Sequence, residues 1–207
     1  SSQTFGHALF VFPVTLFLLH HLRHHLAALR PKAAPWALVP MAGAALCWAI
    51  GDLANLMVVK QLAFVAIWQS LFLLVFGWEV TRRSLFPLAY LYLAVPFGLS
   101  LIPALQDVTA QIVVYLLRFG GVPVFLNGYH IEIPTGSFLV AEACSGVRYL
   151  MVCIALGTLA AYLFFRSWLR RTLFVALSIV VPIVANGIRA YSIIMIAHHG
   201  GHEFARD

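Results

Sequence analysis

Long apolar runs follow one another through this chain, near Phe5–Leu19, Pro35–Met57, Gln61–Trp78, Leu85–Ile102, Val147–Phe165 and Leu173–Ala197. A membrane helix takes about 20 mostly apolar residues. The runs therefore predict an all-α polytopic membrane protein of about six transmembrane helices, the first of them short. Composition leaves little alternative. Hydrophobic residues make up 62% of the 207 and charged ones 10%, and a soluble domain of this size cannot bury so much apolar surface. Lys60 and Gln61 divide the second run from the third, which predicts a tight helical hairpin.

The net charge of +6 does not mark a nucleic-acid binder, because the basic residues lie between apolar runs rather than along one face. Arg23, Arg30 and Lys32 follow the first run, Arg82 and Arg83 the third, and Arg166, Arg170 and Arg171 the fifth. These loops alternate correctly for one side of a membrane, and the positive-inside rule makes that side cytoplasmic. Asp52, Asp107, Glu132, Glu142, Glu203 and the segment 103–146 then fall outside. The chain is read as one integral membrane domain, 1–207. Its start at Ser1 without a basic n-region, and its stop at Asp207 in a polar stretch, suggest part of a longer protein.

The outer segment 103–146 holds the local detail. Asp107–Phe119 reads as a helix capped by Asp107, with Ile112, Val113, Leu116 and Leu117 at helical spacing and Gly120-Gly121 ending it. Val122–Leu126, Tyr129–Ile133 and Ser137–Ala143 read as strands. Asn127-Gly128 between the first two is a strong two-residue hairpin signal with both central positions at positive φ, and Pro134-Thr135-Gly136 makes the next turn. A small extracytoplasmic meander thus delivers the chain to Cys144 at the mouth of the fifth helix.

Chemistry concentrates there. Cys144 sits in Glu142-Ala143-Cys144-Ser145-Gly146-Val147-Arg148, where a strand gives way to a helix. A helix N-terminus and a nearby Arg148 both favour a thiolate, and Gly146 allows close backbone approach. A buried structural cysteine is the plainer alternative. The other cysteines, Cys47 and Cys153, fall inside apolar runs, and the three have neither metal-ligand nor disulfide-framework spacing. Asn186 and Arg189 interrupt the sixth run and share a helix face. Arginine in a membrane span faces a partner or a wet cavity, and a guanidinium beside a thiolate suits a developing oxyanion. A structural arginine paired with a carboxylate is the other reading.

Histidines could move the proton. His198, His199 and His202 follow the sixth helix on the same side as Cys144, either as acid/base groups or as interfacial residues at a helix end. His130 on the hairpin has no better claim. His20, His21, His24 and His25 have metal-like spacing but lie beside Arg23 on the cytoplasmic flank, and are read as a solvated interface rather than a metal site.

Ala141–Arg148, followed by a basic loop and Ala185-Asn186-Gly187-Ile188-Arg189, resembles the exosortase/archaeosortase family. Gly121-Val122-Pro123-Val124 and Ile131-Glu132-Ile133-Pro134 are similar to its exosortase A branch. The resemblance is close from Asp107 to Gly200 and looser before that. It implies a multi-pass cysteine transpeptidase of the bacterial inner membrane, with its active site facing the periplasm. The implied partners are exported proteins whose C-terminal sorting signal joins a Pro-Glu-Pro-type motif (PEP-CTERM), a transmembrane helix and a basic tail. The family cleaves there and passes the product to an acceptor. By motif, Cys144 is the nucleophile and Arg189 steadies the oxyanion, with Glu142, Ser145, Arg148 and Asn186 in support. The family's histidine follows this arginine and precedes a further membrane helix, so it is expected beyond Asp207. Membrane lipid is a partner; nucleic acid, metal and cofactor are not implied. The rival reading is a transporter or channel component with Arg189 and Asn186 lining a polar path, although no inverted repeat or paired broken helix is visible. A scaffold subunit is the third possibility.

Overall fold

The computed structural model describes residues 6–27, 29 and 31–200. Contacts divide the chain into two compact units, Ser1–Phe97 and Gly98–Asp207.

The first unit holds α1 (Gly6–Ala27), α2 (Leu38–Leu53), α3 (Met57–Arg83) and the short α4 (Leu85–Tyr90) with its 3-10 extension Leu91–Ala94. The hairpin of α2 and α3 is tight as expected, but it turns at Ala54–Leu56 rather than at Lys60-Gln61. Asn55 adopts φ 53°, Asn55 N–H bonds the Asp52 carbonyl at 3.1 Å, and Leu56 N–H bonds that of Gly51 at 2.8 Å. This is a Schellman ending with asparagine in the left-handed position glycine usually takes. Lys60 falls inside α3 and reaches back to Asp52 at 2.9 Å. Farther along, Gly77 (φ 79°, ψ 175°) interrupts α3. The carbonyl of Leu74, freed by that break, accepts the N–H of Ala34 at 3.0 Å. Apolar surroundings demand such replacement partners. Gly77 has no room for a side chain, since a Cβ would strike the Lys32 carbonyl.

Four helical stretches among the described residues are long and apolar enough to cross a membrane: Pro35–Leu53, Met57–Arg83, Glu142–Phe164 and Trp168–His198. Two of the six expected spans are not among them. α1 is helical, but its last two turns carry His20, His21, Arg23, His24 and His25, which leaves too short an apolar part. The run Leu85–Ile102 is not one helix. Val95, held extended at φ −75°, ψ 128°, precedes Pro96, and a second 3-10 stretch, Phe97–Leu101, follows. A residue before proline is pushed out of the helical region.

The second unit begins with α5 (Ile102–Phe119) and continues through the strands β1 (Phe125–Asn127), β2 (His130–Ile133) and β3 (Gly136–Leu139) to α6 (Val147–Phe164) and α7 (Trp168–Gly200). α5 starts five residues before the expected Asp107 cap, because Pro103 suits a first helical turn. Asp107 is an exposed mid-helix residue. Its C-terminus does fall at the glycine pair: Gly121 (φ 73°) lets its own N–H and that of Val122 bond the Arg118 and Leu117 carbonyls, each at 3.0 Å.

The strands form an antiparallel meander in the order β1-β2-β3. Asn127 pairs with His130, so the first turn centres on Gly128-Tyr129, one residue later than expected. Only Gly128, at φ 59°, is left-handed. Glycine in the first central position suits a type II′ turn and spares Asn127 a positive φ. Ile131 and Ile133 point inward and join Ala110, Val113 and Leu117 of α5 and Ile194 of α7 in one core, while His130 and Glu132 face out. α6 and α7 cross closely where Gly157 meets Ser178. Arg171 closes their connection by donating to the Phe165 carbonyl at 2.6 Å.

Candidate active site

The chain leaves β3 and tightens into a 3-10 turn, Glu142–Ser145, before Gly146 (φ 74°) opens α6. Cys144 lies in this turn, with its N–H bonded to the Ala141 carbonyl at 2.8 Å. The first backbone N–H groups of α6 have no intrahelical partners, and no side chain among the described residues caps them just after the cysteine. Cys144 is half-buried against the core formed by α5, the meander and α7.

α7 supplies the other half. Asn186 is 5% exposed. Its Nδ2 donates to the Cys144 carbonyl at 2.7 Å and to Thr109 Oγ1 of α5 at 3.2 Å. The close fit needs two glycines. A Cβ on Gly146 would lie 2.6 Å from Asn186 Cγ, and one on Gly187 would lie 2.6 Å from Ile112 of α5. Small residues let helix backbones approach, and here they seat the amide against the cysteine turn. One turn earlier on α5, Gln106 Nε2 donates to the Val140 carbonyl at 2.7 Å.

Arg189, one turn beyond Asn186, is exposed and holds its guanidinium carbon 5.7 Å from the Tyr149 ring centre, within cation–π range. Tyr149 belongs to the first turn of α6, so Arg189 lies alongside the helix that Cys144 introduces. Glu142 and Arg148 are exposed on the same turn region. Ser145 is 3% exposed, and its hydroxyl has no hydrogen-bond partner among the described residues.

His198 Nδ1 lies 2.8 Å from Thr135 Oγ1, in the turn between β2 and β3. Twelve residues separate it from Asn186, about 18 Å of helical rise. The side chain of His199 and all of His202 lie outside the described residues, as do Arg30 and Glu203. His130 is exposed on β2. Among the described residues, no three His, Cys, Asp or Glu side chains gather where a metal ion could be held.

The structure thus joins Cys144 to Asn186, sets Arg189 beside Tyr149 and places His198 at the meander. It adds Gln106 and Thr109, which the sequence reading passed over. Their signal was present: two polar residues fall within the buried stripe of Leu105, Ala110, Val113 and Leu117.

A family model described as transmembrane exosortase matches residues 1–207, the whole chain. No curated protein and no solved structure gives a match.

Proposed function

The chain belongs to the transmembrane exosortase family, and from that premise we propose that it is a membrane-embedded cysteine transpeptidase acting on C-terminal sorting signals of the PEP-CTERM type. The observation that carries this reading is the fixing of the Cys144 carbonyl by Asn186 at 2.7 Å. That bond unites the two halves of the family-like motif at the head of α6.

In the proposed reaction the Cys144 thiolate attacks the scissile carbonyl of the signal. The sulfur–carbon bond forms first and gives a tetrahedral oxyanion; as this collapses the carbon–nitrogen bond breaks, and the leaving amine takes a proton from a histidine that follows Arg189 in the family pattern. Arg189 and the backbone N–H groups opening α6 face the charge on the tetrahedral oxygen. The thioester is then resolved by a nucleophile on the acceptor, which regenerates the thiol. The basic loops at Arg23, Arg82-Arg83 and Arg166–Arg171 support an inner-membrane protein with this site on the periplasmic side, a topology in which the interrupted run Leu85–Ile102 also crosses between Arg83 and Cys144. The burial of Asn186 and its two hydrogen bonds favour the catalytic reading over a solute path lined by that residue.

The test is an in-cell processing assay with a tagged protein ending in motif, apolar helix and basic tail. Cys144→Ala abolishes cleavage, and Arg189→Ala lowers it by about 100-fold or more at normal expression. A product heavier than the hydrolysed fragment reports transfer. Unchanged processing by Cys144→Ala would remove Cys144 as nucleophile.

A further inference from the structure

We infer that Gln106 and Thr109 of α5 are positioning residues that set where the Cys144 thiol stands; the inference rests on Cys144 being the nucleophile. The segment that carries Cys144 belongs to no long helix or strand. Between β3 and α6, Val140 N–H donates to the Tyr129 carbonyl of the meander at 2.9 Å, and beyond it Ala141 N–H to Leu139 O and Cys144 N–H to Ala141 O, at 2.9 and 2.8 Å, are local bonds. Its two ends are nonetheless held. At the entry, Gln106 Nε2 donates to the Val140 carbonyl at 2.7 Å, and at the cysteine itself Asn186 Nδ2 donates to the carbonyl at 2.7 Å.

Both donors lead back to one helix. Gln106 and Thr109 are three residues apart, so they share a face of α5, and Thr109 Oγ1 takes the other Asn186 amide hydrogen at 3.2 Å. Gln106 is 6% exposed and Thr109 1%. In so dry a setting an unmet polar group is costly, so each bond fixes its partner in place. The Thr109 hydroxyl has a specific task. The Cys144 carbonyl can only accept, so the Asn186 amide must present nitrogen to it. The Thr109 hydroxyl accepts the second hydrogen on the same nitrogen, which fixes the plane of the amide. Without the hydroxyl, one of that nitrogen's two bonds is lost and the amide is free to turn about its last torsion, which weakens its hold on the carbonyl. The thiol would then lose its fixed distance from the first turn of α6, and misplacement by about 1 Å can cost 100-fold in rate.

The measurement uses the full chain with Cys47→Ser and Cys153→Ser, leaving Cys144 as the reactive thiol. Thr109→Val keeps the shape and removes the hydroxyl; Thr109→Ser keeps the hydroxyl; Gln106→Leu removes the second tie. Two readouts are taken on each: the rate of Cys144 alkylation by N-ethylmaleimide, and kcat and KM for sorting-signal cleavage. Thr109→Val is expected to change the alkylation rate several-fold and to lower kcat by about 10- to 100-fold with KM nearly unchanged. Thr109→Ser is expected to restore both at an unaltered melting temperature. Unchanged alkylation and kcat in Thr109→Val overturn the assignment. A loss that Ser does not rescue, and that follows the melting temperature, overturns it in favour of a purely structural role. Alkylation needs no substrate, so a shift in that rate with no cleavage by any form keeps the positioning role and sinks the transpeptidase reading instead.

Discussion

Two glycines with nearly the same backbone show how much a residue's surroundings add to its conformation. Gly121 and Gly146 have φ of 73° and 74°. A Cβ on Gly121 would meet nothing within 4 Å, whereas one on Gly146 would sit 2.6 Å from Asn186 Cγ. Gly121→Ala should therefore cost only the left-handed backbone penalty, about 1 kcal/mol. Gly146→Ala adds a collision and should cost about 2 kcal/mol or more, together with the Asn186 bond. Thermal unfolding in detergent would rank the two, and equal losses would mean that the Gly146 fit is loose. The same contrast explains what could be read in advance. Cys144, Gly146 and Asn186 stand out in sequence because a cysteine at a helix mouth and an amide in an apolar run are chemically conspicuous. Gln106 and Thr109 stand out less, since a helix read from Asp107 leaves Gln106 outside it, and their place in the apolar stripe shows once the helix begins at Ile102.

Among elements, the turns were more legible than the long helices. Gly120-Gly121 ended α5 where it was expected to, and the Asn127-Gly128 signal found the right hairpin while missing its centre by one residue. Where several principles competed, the strongest stereochemical one prevailed: proline at position 96 over apolar continuity in Leu85–Ile102, and Pro103 over Asp107 in starting α5. The α2–α3 hairpin allows this ordering to be tested. Its Lys60–Asp52 pair is partly solvated, with side chains 29% and 55% exposed, so Lys60→Ala should cost under about 1 kcal/mol. Asn55→Val forces a branched side chain to φ 53° and should cost more, about 2 kcal/mol. Denaturation of both variants measures the difference. A greater loss for Lys60→Ala would show that the ion pair, not the turn, closes the hairpin.

For the whole molecule, the proposed orientation is the property to test, since it is argued from charge distribution and needs the interrupted run Leu85–Ile102 to cross the membrane. Asn127 and Arg82 are both exposed. With the three native cysteines replaced by serine, Asn127→Cys should react with a membrane-impermeant maleimide in cells with an opened outer membrane. Arg82→Cys should react only after the inner membrane is permeabilised. The reverse pattern would invert the topology. Under the proposed activity and orientation, the length of α7 has a consequence for the substrate. Trp168 to Arg189 rises about 31 Å, close to the 30 Å of a bilayer's hydrocarbon, and the remaining turns to Gly200 rise about 16 Å more. With Trp168 anchored at one boundary, the cysteine turn hangs at a fixed altitude near the opposite one, and the helix acts as a depth gauge. A signal would then be cut by height as well as by sequence. Inserting about four residues, some 6 Å if helical, between its motif and its apolar helix should abolish cleavage or move it to a new bond, as the mass of the product would reveal.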